Sequence, residues 1–216
     1  MKPRDKADTR RYYAPVRQAA AARNRERVLT EAKRTFEQRG WQGATIPLIA
    51  QRAGVSHQMI EATFATKAAL LQAVVDFSIR GDARPVRMPL RQVVADMEAA
   101  PTAAAMLDLH AAQVRSISER SAAIAWTVEH AASSDRRVAR LWREMTKNRD
   151  YGVDWATRTL LAKPDIDTSL DPAMVETTFW LALDWGTYRS LTRERSVGPD
   201  AFEVWLREYY RRMFGA

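Results

Sequence analysis

Only eight glycines stand among the 216 residues of this chain, and proline is confined to a few places. Long stretches therefore lack the turn residues that an all-β chain must supply at short intervals. That shortage predicts helix almost throughout and an all-α fold. Hydrophobic residues at 46% and charged residues at 28% are enough for a buried core, in one large domain or two modest ones. With no cysteine in the chain, disulfides and thiolate metal sites are excluded. The opening residues Met1 to Lys6 are basic with no apolar run behind them, so no secretory leader is read there. No run of 18 apolar residues occurs, and a cytoplasmic chain with no membrane contact is expected.

Charge is distributed unevenly. Residues 1–70 hold fourteen Lys or Arg against six Asp or Glu, whereas residues 71–216 hold twenty of each. The whole net charge of +8 therefore lies in the first third. A polyanion-binding head on a neutral body fits this pattern. A solvated basic tail fits the charge equally.

Residues 1–22 read as a basic, largely disordered arm that turns helical after Pro15, with Arg10 and Arg11 placed to reach a minor groove or phosphates. Residues 23–70 read as a domain of short helices, and residues 71–216 as a helical body. In the first helix, Val28, Leu29, Ala32 and Phe36 recur at helical spacing, and Gly40 stops it. Thr45 caps a second helix with Pro47 in its first turn. Ala53-Gly54-Val55-Ser56 breaks that helix and starts a third, and Thr66 caps a fourth that reaches about Ile79. After a loop at 81–89, helices are expected at 90–99, 102–120, 121–133, 135–161, 171–192 and 199–214.

Two short helices joined by a tight glycine turn in a basic surround form a helix-turn-helix, unless they are an ordinary helical hairpin. A longer pattern bears on that choice. Ala32, Phe36, Gly40, Trp41, Thr45, Ile49-Ala50, Ala53-Gly54-Val55-Ser56, Ile60, Phe64, Lys67 and Leu70 preserve both order and spacing. From Arg27 to Leu71 the chain resembles the DNA-binding domain of the TetR family of transcriptional regulators. The resemblance implies a three-helix DNA-binding head with a helical-bundle body for ligand binding and dimerisation. It also implies a homodimer on a palindromic operator of double-stranded DNA, a repressor released by a small molecule.

Carried over position by position, Thr45 contacts phosphate, Ser56 starts the recognition helix, and His57, Gln58 and Met59 lie nearest the bases. Lys67 meets the DNA backbone, and Thr63 keeps a hydroxyl donor. Gln58 suits adenine, His57 a guanine edge or phosphate, and Met59 a thymine methyl or the core. Glu61 departs from the family, which usually has Tyr there. A carboxylate is repelled by phosphate, which leaves it to accept from a cytosine amino group or to pair with Arg52 or another basic neighbour.

The body holds six of the seven tryptophans. Met106, His110, Trp126, His130, Trp142, Met145, Trp155, Trp180 and Asp184 are the expected lining of a pocket for an apolar or aromatic effector of unknown identity. Phe179, Leu183, Tyr188, Phe202, Trp205 and Tyr209 are the expected dimer face, paired across a two-fold axis. The three histidines are far apart in sequence, so neither a metal site nor any cofactor is expected.

No Gly-rich phosphate loop, nucleophile elbow or metalloprotease motif is present, and an enzyme is not expected. Asp165 and Asp167 read as solvated loop acids. The competing function is a helical ligand-binding or protein-interaction module that has lost specific DNA binding.

Overall fold

The computed structural model describes residues 6–82 and 88–215, with side chains from residue 19 onward except that of Pro89. Residues 1–5, the side chains of Arg10 and Arg11, and part of the expected loop at 81–89 lie outside the described residues. Among the described residues there is no strand. The chain divides into two units, Met1–Phe77 and Ser78–Ala216.

In the first unit, helix α1 runs Lys6–Gly43. Helix thus begins well ahead of Pro15, not after it, which corrects the expectation of a largely disordered arm over the residues described. The alanine run at 19–22 and the absence of glycine before Gly40 favour this extension. Gly40, at φ 64° and ψ −175°, leaves helical geometry at the expected stop. Helices α2 (Ile46–Ala53), α3 (His57–Phe64) and α4 (Lys67–Arg80) follow. Val28, Leu29 and Phe36 of α1 are buried, as are Ile49 of α2, Ile60 of α3 and Leu70 of α4. Each such side chain contributes roughly 1.5–3 kcal/mol when taken from water.

The second unit has a 3₁₀ turn at Met88–Leu90, then α5 (Gln92–Ala99), α6 (Ala103–Ala132), α7 (Arg136–Leu161), α8 (Pro172–Ala182), α9 (Trp185–Arg189) and α10 (Pro199–Phe214). Helix α6 is central, packing on α5, α7, α9 and α10. It runs unbroken through 120–121, where two helices were expected: no glycine or proline interrupts it there, and Ser121 donates its hydroxyl back to Ile117 O at 2.7 Å instead of capping a new helix.

Asp165 is an exposed loop acid, as expected, and it is also bonded. Its Oδ1 accepts from Ala103 N at 2.8 Å, at the start of α6. Nearby, buried Lys163 donates to the carbonyls of Met97, Glu98 and Ala100 at 3.0, 2.8 and 2.8 Å, where α5 ends. A cation thus meets the negative end of one helix and a carboxylate the positive end of the next. Asp167 accepts from Ser169 N at 2.8 Å, and that bond holds its carboxyl below the usual range.

The helix expected over 171–192 is broken. It ends at Ala182 and restarts at Trp185, then passes into a π-helical turn at Ser190–Glu194. Asp184 holds the break. Its Oδ2 accepts from Thr187 N at 2.7 Å as the cap of α9, and its Oδ1 accepts from Arg149 Nη1 at 2.7 Å. Gly186 makes room for this, since a Cβ there would stand 2.8 Å from Asp184 Oδ2.

Candidate nucleic-acid interface

The helix-turn-helix of α2 and α3 is fixed by its own caps. Thr45 Oγ1 accepts from Leu48 N at 3.3 Å and starts α2, with Pro47 in the first turn. Gly54 ends it in the left-handed region at φ 63° and ψ 39°. Val55 N then returns to Ala50 O at 3.0 Å, which fixes the turn angle. Ser56 Oγ accepts from Met59 N at 3.2 Å and starts α3. Ile60 and Phe64 lock α3 into the core, and Arg25 lies over the Phe64 ring at 4.8 Å.

With Ile60 and Phe64 turned inward, α3 leaves His57, Gln58, Glu61 and Ala62 exposed. His57, Gln58 and Glu61 make no hydrogen bond or ion pair with other described residues, so their polar atoms are available to a partner. Met59 is half-buried, between the two roles read for it, and Thr63 is exposed with its hydroxyl donated to Met59 O at 2.7 Å. Thr45 is also exposed at its cap.

Arg52 does not pair with Glu61. It donates to Thr35 Oγ1 at 3.2 Å and Gln38 Oε1 at 3.0 Å, back on α1. Lys67 opens α4, but its ammonium donates to Trp41 O and lies 4.2 Å from the centre of the Trp41 ring. A role on the DNA backbone would have to compete with that contact, which joins residues 26 positions apart in sequence.

This is a helix-turn-helix DNA-binding head. Residues 28–74 match the family model described as bacterial regulatory proteins, tetR family, and the head is similar to the DNA-binding domain of that family over those residues. No curated protein is significantly similar to it in sequence. Several solved structures share the fold over nearly the whole chain. A TetR-family member from Streptomyces coelicolor A3 is 21% identical with a TM-score of 0.57, covering 88% of this chain and 98% of its own. A transcriptional regulator from Saccharomonospora viridis in complex with choline is 16% identical with a TM-score of 0.63, covering 88% and 96%. NalD, the secondary repressor of the MexAB-OprM multidrug efflux pump in Pseudomonas aeruginosa, is 16% identical with a TM-score of 0.54, covering 91% and 98%. Among the described residues no single helix is long and apolar enough to cross a membrane, and no three His, Asp or Glu gather as metal ligands.

The nine residues expected to line a pocket in the body do not share one wall. Met106, His110 and Met145 are buried in the core, and Trp142 lies 6.1 Å from Trp185, centroid to centroid. Trp155 donates to Glu98 at 2.9 Å. Trp126 and His130 are exposed, their rings tilted against each other with centroids 3.5 Å apart, and Arg189 lies over Trp126 at 3.4 Å. Trp180 is exposed beneath Arg149, and Asp184 is engaged at the helix break. His110 Nδ1 lies 2.8 Å from Tyr210 Oη, and burial lowers the His110 pKa to about 4. Burial likewise holds the Tyr210 hydroxyl well above its ordinary range. An open groove of about 600 Å³ lies elsewhere on the body, lined by Asp96, Ala99, Ala100, Pro101, Ala105, Asp108, Leu109, Ala112 and Arg207. It contains none of the nine.

The expected dimer face is corrected in three of its six members. Phe179, Tyr188 and Phe202 are buried in the body's own core: Phe179 packs edge-on against His110 at 4.8 Å and Tyr188 against Phe202 at 4.8 Å. Leu183 and Tyr209 are half-buried and Trp205 is exposed. The faces of α8 and α10 turned outward carry Met174, Trp180 (42% exposed), Leu181 (41%) and Val204 (67%) beside Trp205. Both faces of α8 carry large apolar side chains, so spacing alone did not say which one the core would take.

Proposed function

We propose that this protein is a sequence-specific transcriptional repressor that binds a palindromic operator as a homodimer in the cytoplasm and lets go when a small molecule enters its body. The observation that carries the reading is the exposed face of α3, where the side chains of His57, Gln58 and Glu61 have no partner among the described residues, on a helix-turn-helix fixed by caps at Thr45, Gly54 and Ser56. Such a helix can lay its first turns against base edges in the major groove. Thr45, at the start of α2, can give its hydroxyl hydrogen to phosphate.

The homodimer is supported by the apolar outward faces of α8 and α10, which water would otherwise cover. The basic first third supplies the attraction to phosphate. An effector is supported by the choline complex and a repressor by NalD, two proteins of the same fold.

Selection of bound duplexes from a random pool, at moderate salt, tests the reading. One inverted repeat should be enriched, and affinity for it should fall with salt by a slope of about −0.9 per phosphate contacted. Retention of duplexes without any enrichment, from a chain that is folded and dimeric, would overturn it. A ligand-binding module that has lost specific DNA binding would then be the better description.

A further inference from the structure

We infer that Glu61 reads a cytosine through its exocyclic amino group, and so sets the base at one position of each half-site. The inference rests on the reading of α3 as the recognition helix. Glu61 lies one helical turn beyond His57 and three residues beyond Gln58, on the same exposed face. Its carboxylate makes no hydrogen bond or ion pair with other described residues. Of the cations nearest in sequence, Lys67 donates to Trp41 O and Arg52 to Thr35 and Gln38. A negative charge carried this way between two phosphate backbones has no counter-charge bonded to it among the described residues and can find its donor on the DNA.

Among base edges in the major groove, only the cytosine N4 and adenine N6 amino groups donate. The adenine amino group is flanked by acceptors on both sides, its own N7 and the O4 of the paired thymine. The cytosine amino group has an acceptor on one side only, the guanine O6, and the C5–H edge of its own ring on the other. A carboxylate, which repels lone pairs, therefore selects cytosine over adenine and rejects guanine and thymine. Gln58 has the opposite preference, because an amide can donate to N7 while it accepts from N6 of adenine. Two side chains of similar length on one helix face are thereby set to different bases.

The test is the same selection run in parallel with the wild-type chain, Glu61→Ala and Glu61→Gln, followed by titration of the enriched duplex. Glu61 is exposed and unbonded, so both variants should fold normally, checked by thermal melting. The wild type should demand cytosine at one position of each half-site. Glu61→Ala should relax that position alone, and Glu61→Gln should move it toward adenine. Replacing that cytosine by 2-pyrimidinone, which lacks the amino group, should weaken wild-type binding on the order of tenfold and leave Glu61→Ala unaffected. A motif that Glu61→Ala retains unchanged at every position, even if it binds more tightly throughout, overturns the role of Glu61 and spares the head. No motif from the wild type overturns both.

Discussion

The head and the body both carry many polar side chains, and they use them differently. On the exposed face of α3, the side chains of His57, Gln58 and Glu61 have no partner among the described residues. In the body, comparable groups are committed internally: Lys163 to three carbonyls, Asp165 to Ala103 N, Asp184 to Arg149 and α9, and His110 to Tyr210. Buried polar groups are costly unless bonded, so the body's polar residues specify its packing. Exposed ones on a helix held rigidly from behind are free for recognition. A polar residue in this molecule is therefore informative about function chiefly where the protein gives it nothing to bind.

The largest effects that sharpen the contrast should come from the body. The His110 pKa is about 4 in the folded chain against an ordinary 6.5. The unfolded chain binds the extra proton first, so this contribution to stability is complete above about pH 6.5 and is lost as pH falls toward 4. The loss should approach about 3 kcal/mol. Melting curves from pH 7 to pH 4.5 should show it, and His110→Gln should flatten that part of the profile; an unchanged profile would break the assignment. Lys163→Met should cost about 3 kcal/mol by urea unfolding, since it strips the cap from α5 while keeping the side chain's length. Its folded fraction should keep the wild-type base preferences.

The head should behave in the reverse way. His57→Ala with Gln58→Ala should lower affinity for the enriched duplex by about a hundredfold, leave affinity for unrelated duplex unchanged, and hardly move the melting temperature. A large loss of stability would mean that these residues serve the fold after all. The smallest effect is expected from Ser56→Ala, which removes the cap of α3 at a cost of about 1 kcal/mol and should weaken binding through fraying of that helix's first turn. Equal weakening on all duplexes would separate it from the base-reading pair.

The same division explains what could be read from the sequence. The head was legible because its determinants are local: Thr45, Gly54 and Ser56 cap within three residues of themselves, and Ile60 and Phe64 follow at helical spacing. The body's determinants act at long range. Nothing near Asp184 announces that Arg149, 35 positions away, will hold a break in the helix expected over 171–192. Asp165 finds its partner 62 positions away, and His110 finds Tyr210 at 100. Trp180 and Phe179 are neighbours in sequence with opposite fates, one outward and one in the core, on a helix with large apolar side chains on both faces. The DNA-backbone role of Lys67 comes from the family resemblance alone, and its tie to Trp41 is visible only in three dimensions.

The central claim is that the outward face of α3 reads base sequence. It is tested most directly by competing the enriched duplex against a shuffled duplex of the same composition, at one fixed salt concentration. The account predicts that the wild-type chain prefers the enriched duplex by about 10³-fold or more. A ratio near one, with both duplexes released together as salt rises, would contradict it and reduce the head to a basic surface that holds any DNA.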